Sequence, residues 1–304
     1  MKTKINILSI DSGGVRNLIS AYILQKIEEQ LQEQQNNPYL RIADVFDTFL
    51  SIGSSTLLSY LYQIPLTNNS YHHSQIVFNE YQKIAKRIYR RKNLSYLPYR
   101  THYCSNQNLQ RQITELFQNL ENVKNKKNNV VPLFNLSKGN LEIIAASKSI
   151  LSAEEIVKAS LATYPFFKHV GIDDMVYASG EYVSANPKFC LNHSLLIEAF
   201  KDYDEVNILS IGAGSNTIHS TNNSIKRIAK DCATQFVEEN FLPNQTVNYF
   251  RIDVPTKDFD MFKPLHTNSY IDFSTKNIKA MHTAGQLAMG ATNKKELESF
   301  LAVL

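Results

Sequence analysis

Glycine is scarce in this chain, at 10 of 304 residues, about 3% against a usual level of about 7%. Phosphate loops, nucleophile elbows and tight turns all draw on glycine, because it alone enters positive φ without a steric cost. Any such motif here must use a large share of the ten. Cysteine is scarce as well. Cys104, Cys190 and Cys232 are an odd number with no C-x-x-C spacing. They argue against a disulfide framework and a zinc site, and read as buried thiols in a reducing compartment. No run approaches 18 apolar residues, so no transmembrane helix is expected. The N-terminus enters a strand-like run directly and lacks a signal-peptide pattern. The expected location is a cytoplasm, that of the producing cell or another cytosol to which the protein is delivered. Charge is nearly balanced, with 32 Lys and Arg against 28 Asp and Glu. The small basic excess is weak evidence for an anionic partner, and a nucleic-acid protein would usually carry more. What is present is core: 43% hydrophobic and 20% charged residues exclude wholesale disorder.

Residues 4–10 (KINILSI) are apolar and β-branched and read as a buried strand. Residues 11–17 (DSGGVRN) form a turn. Ile19, Ile23, Leu24, Ile27 and Leu31 then recur at helical spacing over residues 18–34. A second strand over residues 45–52 leads through a short turn at Gly53 to a helical or apolar run over residues 56–63. Strand, turn and helix, twice over, predict a parallel sheet with helices packed on it. Further strands are expected within residues 131–146, 175–177, 206–211 and 247–254. Helices are expected over residues 74–91, 108–120, 153–162, 194–200 and 275–304. Residues 121–129 (ENVKNKKNN) read as an exposed loop. No repeat and no linker divides the chain, so one domain over residues 1–304 is expected.

Six of the ten glycines, Gly13, Gly14, Gly53, Gly180, Gly212 and Gly214, fall in four strand-end turns. Ligands of open α/β sheets bind at the carboxyl ends of strands, so these turns mark the edge of a site. The backbone N–H groups of Ser12, Gly13 and Gly14 would point at an anion at a helix N-terminus. The loop is neither G-x-G-x-x-G nor a P-loop. The eight histidines form no H-E-x-x-H, and neither a metal nor a cofactor is expected.

These turns sit in segments that resemble the patatin-like phospholipases. ILSIDSGGVRNLISAYILQKIE looks like that family's I-L-x-[IL]-D-G-G-G-x-R-G strand, loop and helix. RIADVFD looks like the approach to its nucleophile strand. ASLATYPFF, SANP and LSIGAG follow in family order, with Pro165 one place late. The resemblance covers residues 4–215 most clearly and residues 216–304 weakly. It implies a three-layer α/β/α fold with a mainly parallel central sheet. It also implies hydrolysis of lipid acyl esters by a Ser–Asp dyad, with the serine on a strained G-x-S-x-G turn and backbone donors for the oxyanion. Asp11, Gly13, Gly14 and Arg16 match the family's oxyanion loop, while Ser12 and Asn17 replace two of its glycines.

The dyad itself is missing in the simplest alignment. Taken without gaps from Phe46-Asp47, the nucleophile position is Gly53, and Leu57 falls where the family often has leucine. Shifting by two makes Ser55 the nucleophile, with Leu57 crowding the place of the second glycine. Ser54 is a further alternative. Counting back from Asn186-Pro187 puts the family's aspartate at Ser179. Asp173 and Asp174 lie on the far side of a short strand and read as loop carboxylates. A hydroxyl nucleophile needs its base, so losing both positions points to a non-catalytic descendant that binds a lipid, an acyl chain or a protein partner. The rival readings are an active acyl hydrolase using Ser55 or Ser54, and a scaffold that only binds protein.

Lys83, Lys86, Arg87, Arg90, Arg91, Lys92 and Arg100 are interleaved with Tyr81, Tyr89, Tyr96 and Tyr99. Basic stems and tyrosine rings suit a membrane interface. An ordinary amphipathic helix, with Val77, Tyr81, Ile84 and Ile88 turned inward, explains the pattern equally well. RNA binding is a weaker reading, because no RRM or KH signature is present.

Overall fold

The structure, a computed structural model, describes residues 3–66, 70–90, 102–118, 128–214, 245–254 and 271–304. Arg91, Lys92, Tyr96, Tyr99, Arg100 and Cys232 lie outside the described residues.

β1 (Lys4–Ile10) is the buried strand its sequence predicts, and its side chains alternate between two cores. Ile5 and Ile7 join one, Leu8 and Ile10 the other. A 310 turn at Gly14–Arg16 leads into α1 (Asn17–Gln34). Next come α2 (Ile42–Val45), β2 (Thr48–Ser51), α3 (Ser54–Tyr62), α4 (Ser74–Ile88) and α5 (Asn106–Gln118). β3 (Asn128–Asn135), β4 (Asn140–Ala145), α6 (Ala153–Leu161), β5 (Val170–Ile172) and β6 (Met175–Ser179) follow. The chain continues through α7 (Ser194–Phe200), β7 (Glu205–Ile211), β8 (Thr246–Ile252), α8 (Thr275–Ala291) and α9 (Lys294–Leu301).

Among the described residues the strands form one sheet in the order β5-β6-β3-β2-β1-β7-β8, with β4 also paired to β3. The run β3-β2-β1-β7-β8 is parallel, and β4, β5 and β6 add antiparallel pairings at one side. Helices α1, α3, α4, α5, α6, α8 and α9 contribute to the larger core on one face. α7 and a 310 turn at Pro187–Asn192 cover the other through Cys190, Leu191, Leu196 and Phe200. This is a mixed α/β architecture with helices on both faces of a mostly parallel sheet, as the resemblance implies.

Local differences have local causes. The strand expected over residues 45–52 shortens to β2, because Ile42–Val45 forms a helical turn. Asn128 and Asn129, expected in an exposed loop, begin β3 beside Thr48 and Phe49. Asn129 is fully buried and exchanges hydrogen bonds with Gln63 (2.9 and 3.0 Å), a long-range pairing that sequence polarity conceals. The C-terminal helix is broken in two where the Asn293 side chain caps α9. A row of asparagines in register crosses three strands: Asn207 donates to Asn6 (3.0 Å) and Asn248 donates to Asn207 (2.8 Å). A one-residue slip would break this row.

Glu28 on α1 ties two helix starts to the core. Its buried carboxylate accepts the Ile42 N–H of α2 (3.0 Å) and the Ser74 N–H of α4 (2.9 Å). Both are N-terminal N–H groups that lack an intrahelical partner. Glu28→Ala should therefore cost about 2–4 kcal/mol, since each orphaned buried donor costs about 1–3. Urea unfolding checks this; a loss below about 1 kcal/mol would mean that water replaces the carboxylate at both termini.

Candidate functional site

The carboxyl ends of β1, β2 and β7 reach the same level, with Ile10 beside Ser51 on one side and Ile211 on the other. The glycine-bearing turns leave the sheet at this edge. Asp11 donates its N–H to the Ile211 carbonyl (2.9 Å), and Ser12 donates to the Ala185 carbonyl (2.8 Å), which pins the first loop.

Gly53 forms the turn between β2 and α3, at φ +59° and ψ −130°. That region is essentially reserved for glycine unless the surroundings force it. The space a side chain would fill at Gly53 is occupied by the Glu181 carboxylate and the Ser12 hydroxyl. Ser12 donates a short hydrogen bond to Glu181 Oε2, and both residues are buried. Glu181 lies in a 310 turn at Gly180–Tyr182, which continues directly from β6. Ser179 caps that turn: its hydroxyl accepts the Glu181 N–H (3.3 Å) and has no carboxylate to offer as a base.

The donors of the glycine loop are also occupied. Gly13 and Gly14 both donate their N–H groups to Ser54 Oγ, at 3.1 and 2.6 Å. Ser54 in turn donates to Asn17 Oδ1 (2.5 Å), and Asn17 Nδ2 donates to the Asp11 carbonyl (2.7 Å). Ser54 Oγ therefore stands where an oxyanion facing these donors would have to stand. Ser55 is directed elsewhere. Its hydroxyl lies 2.7 Å from the Ile10 carbonyl and 2.8 Å from the Ile52 carbonyl, and it accepts the Ile52 N–H (2.9 Å). That group braces the ends of β1 and β2. Arg16 is buried and donates to the Gly214 carbonyl (3.0 Å), tying the first loop to the end of β7.

Around this centre lies a second ring of hydroxyls. Ser160 on α6 meets Thr56 (2.8 Å) and donates to the Gly53 carbonyl (3.2 Å). Ser51 donates to Thr56 (3.3 Å), and Ser59 donates to Ser51 (3.2 Å). Tyr81 of α4 donates to the Gly14 carbonyl (2.7 Å). Burial pushes its hydroxyl well above the ordinary tyrosine range, the nearby Ser54 hydroxyl works against that, and the Glu181 charge adds to it. Tyr81 thus titrates only far above neutral pH.

The sequence named Gly53, Ser54, Ser55, Ser12, Gly13, Gly14 and Arg16, and the fold brings them to one edge. Ser179 is one residue behind Glu181. Asp173 and Asp174 are exposed in the turn between β5 and β6, at the opposite end of β6 from Ser179. Sequence reasoning passed over Glu181, Tyr81 and Ser160 as participants. The signal for Glu181 was a carboxylate in a position where the resembling family has a small residue. Tyr81 was legible only as an inward-facing residue of its helix.

Arg251 on β8 completes the edge. It contacts Asp11 through both terminal nitrogens (3.3 and 2.7 Å), Ser210 (2.8 Å) and Asp253 (2.5 Å). Burial pushes the Asp11 carboxyl up to about 6, against the pull of the Arg251 hydrogen bond and charge. Among the described residues no group of three His, Cys, Asp or Glu side chains is placed to hold a metal ion. No helix among them is long and apolar enough to cross a membrane.

No family model matches the chain. Individual curated proteins do match part of it. It is 43% identical over 65 residues to "Probable inactive patatin-3-Kuras 1" of Solanum tuberosum and equally to "Patatin-17" of Solanum cardiophyllum, 21% of this chain in each case. It is 39% identical over 69 residues to "Patatin group M-1" of Solanum tuberosum, 23% of this chain. The matched stretch spans only 17% to 18% of those relatives' own length.

Proposed function

Starting from a chain that is patatin-like in sequence and in its mostly parallel α/β sheet, we propose that it keeps the scaffold of a lipid acyl hydrolase without the hydrolysis. Its work is then binding, of an acyl chain, a lipid or a protein partner. One observation carries this reading. Polar residues that stand where the resembling family has glycine (Ser12, Asn17, Ser51, Thr56 and Glu181) turn their side chains on one another or on Ser54 and fill the centre. Ser12 meets Glu181 over Gly53, Asn17 meets Ser54 on the loop donors, and Ser51 meets Thr56 beneath. A hydrolase needs a nucleophile, a base, free oxyanion donors and room for the ester. Here the first position is glycine, the second is serine, the donors hold Ser54 and the room holds a carboxylate.

The test is an ester-hydrolysis assay on short-chain nitrophenyl esters and phospholipid, run beside fluorophosphonate labelling. The expected result is no turnover above a heat-inactivated control and no label. Turnover abolished by Ser55→Ala or Ser54→Ala, or label mapped to either serine, would establish the hydrolase instead. Should the protein neither turn over nor retain fatty acid or phospholipid, the protein-binding scaffold becomes the better reading.

A further inference from the structure

A groove of about 790 Å³ runs along the outer side of α4. Lys83, Lys86, Arg87 and Arg90 line one side, and Ile271 and Phe273, which precede α8, contribute the apolar part. The inward stripe of α4, with Val77, Tyr81, Ile84 and Ile88, is buried as its spacing predicts. The basic side is therefore a separate face with its own geometry. Two cations of the last turn are expected at any helix C-terminus, where they complement the macrodipole. Four sharing a concave surface with Phe273 exceed that need.

The charge is little neutralised. Lys83 reaches Glu80 (3.2 Å) and Arg87 reaches the neutral Gln112 (3.2 Å). Lys86 and Arg90 form no ion pair with any described residue. On the same stripe, one turn and more toward the start of α4, Ile76 stands 46% exposed. Ile76 and Lys83 are seven residues apart within α4, so they share one side of the helix axis, and Arg90 follows the end of the helix. An exposed apolar side chain on the same helix as a cluster of basic residues is the pattern of a helix lying at a lipid interface.

We propose that this groove takes the phosphate-bearing headgroup of an anionic membrane lipid. Lys83, Lys86 and Arg87 of α4 and the following Arg90 would meet the phosphate and Phe273 the first carbons below it, while Ile76, outside the groove on the same helix, would enter the interface beside it. This site is distinct from the closed centre at Gly53, and its standing does not depend on whether that centre hydrolyses esters.

Vesicle co-sedimentation of the full chain tests it, with phosphatidylcholine alone against phosphatidylcholine carrying about 30% phosphatidic acid. Binding to the acidic vesicles only is expected. Each cation near an anionic surface contributes about fivefold, so Lys83→Ala/Lys86→Ala/Arg90→Ala should weaken binding on the order of a hundredfold. Ile76→Ser leaves the charge unchanged and should weaken it about threefold to tenfold. The pair Lys294→Ala/Lys295→Ala, on α9, is the control for charge alone. Absence of binding, an undiminished triple variant, or an equal loss per charge in the control would overturn the proposal. Calorimetric titration with inorganic phosphate separates the sources. A free phosphate bound as tightly as the vesicles, with Ile76→Ser neutral, would assign the groove to a soluble anion and overturn the membrane reading. So would RNA binding through the same cations with acidic vesicles excluded.

Discussion

Gly53→Ala is expected to destabilise the protein by about 3–5 kcal/mol, and Glu181→Ala in the same chain should relieve about 1–2 kcal/mol of that loss. Two costs combine in the single variant. A non-glycine residue forced to keep φ +59° and ψ −130° costs about 1–3 kcal/mol. The new methyl also enters space held by the Glu181 carboxylate and the Ser12 hydroxyl, and overpacking a tight site costs about 1–3 more. Truncating Glu181 removes only its share of the second cost, since the Ser12 hydroxyl stays. The two substitutions should therefore couple by about 1–2 kcal/mol in a double-mutant cycle, as contacting residues do. Urea unfolding of the four proteins measures it, and strict additivity would show that Glu181 does not occupy the Gly53 turn. The same geometry bears on any attempt to install the dyad that the proposed function holds to be missing. Gly53→Ser with Ser179→Asp places a serine against Glu181, so the carboxylate must be removed as well before an ester could enter.

The second large effect concerns Arg251. Arg251→Met should cost about 2–4 kcal/mol at pH 7.5, because Asp11 would remain buried without its counter-charge. The cost should shrink toward pH 5. Burial holds the folded-state Asp11 carboxyl at about 6, above its ordinary value of 3.8. Folding therefore favours its protonated form. The stability that Asp11 contributes is fully present below the unfolded value and is lost as pH rises through the folded one. Removing Arg251 takes away the hydrogen bond and charge that oppose this rise, so the folded value climbs and the variant gains more than the parent from acidification. Unfolding at both pH values decides the matter. An equal loss at pH 5 and 7.5 would mean that Arg251 acts through packing and not through the charge on Asp11.

How much of this was readable beforehand depended on sequence distance. β1, the loop and α1 were legible because an apolar strand, a glycine pair and a 3.6-residue period are local signals. That position 53 offers no nucleophile and position 179 no carboxylate was legible from residue identity alone. The role of Ser54 was not, although it lies one residue from Gly53. Its importance comes from Gly13 and Gly14, some forty residues earlier in the chain. Ser12 and Glu181 are separated by 169 positions. Each alone reads as a polar residue in a turn, and only their meeting over Gly53 makes them a plug. Asn129 shows the same limit in the fold: an Asn-rich stretch looks solvated until its partner Gln63 is placed beside it.

The sequence by itself determined the parallel α/β scaffold, the four glycine turns at the strand ends and the absence of a hydroxyl at position 53 and of a carboxylate at position 179. It did so because those features rest on local periodicity, backbone permissiveness and residue chemistry. The tertiary structure alone decided which side chains meet at those turns. Ser12 and Asn17, Ser51 and Thr56, and Glu181 lie at three separate strand ends, and only the closing of the sheet brings them to one centre. Hydrogen bonding then leaves few alternatives, because polar groups buried there must satisfy each other, and in doing so they close the centre that glycine would have left open.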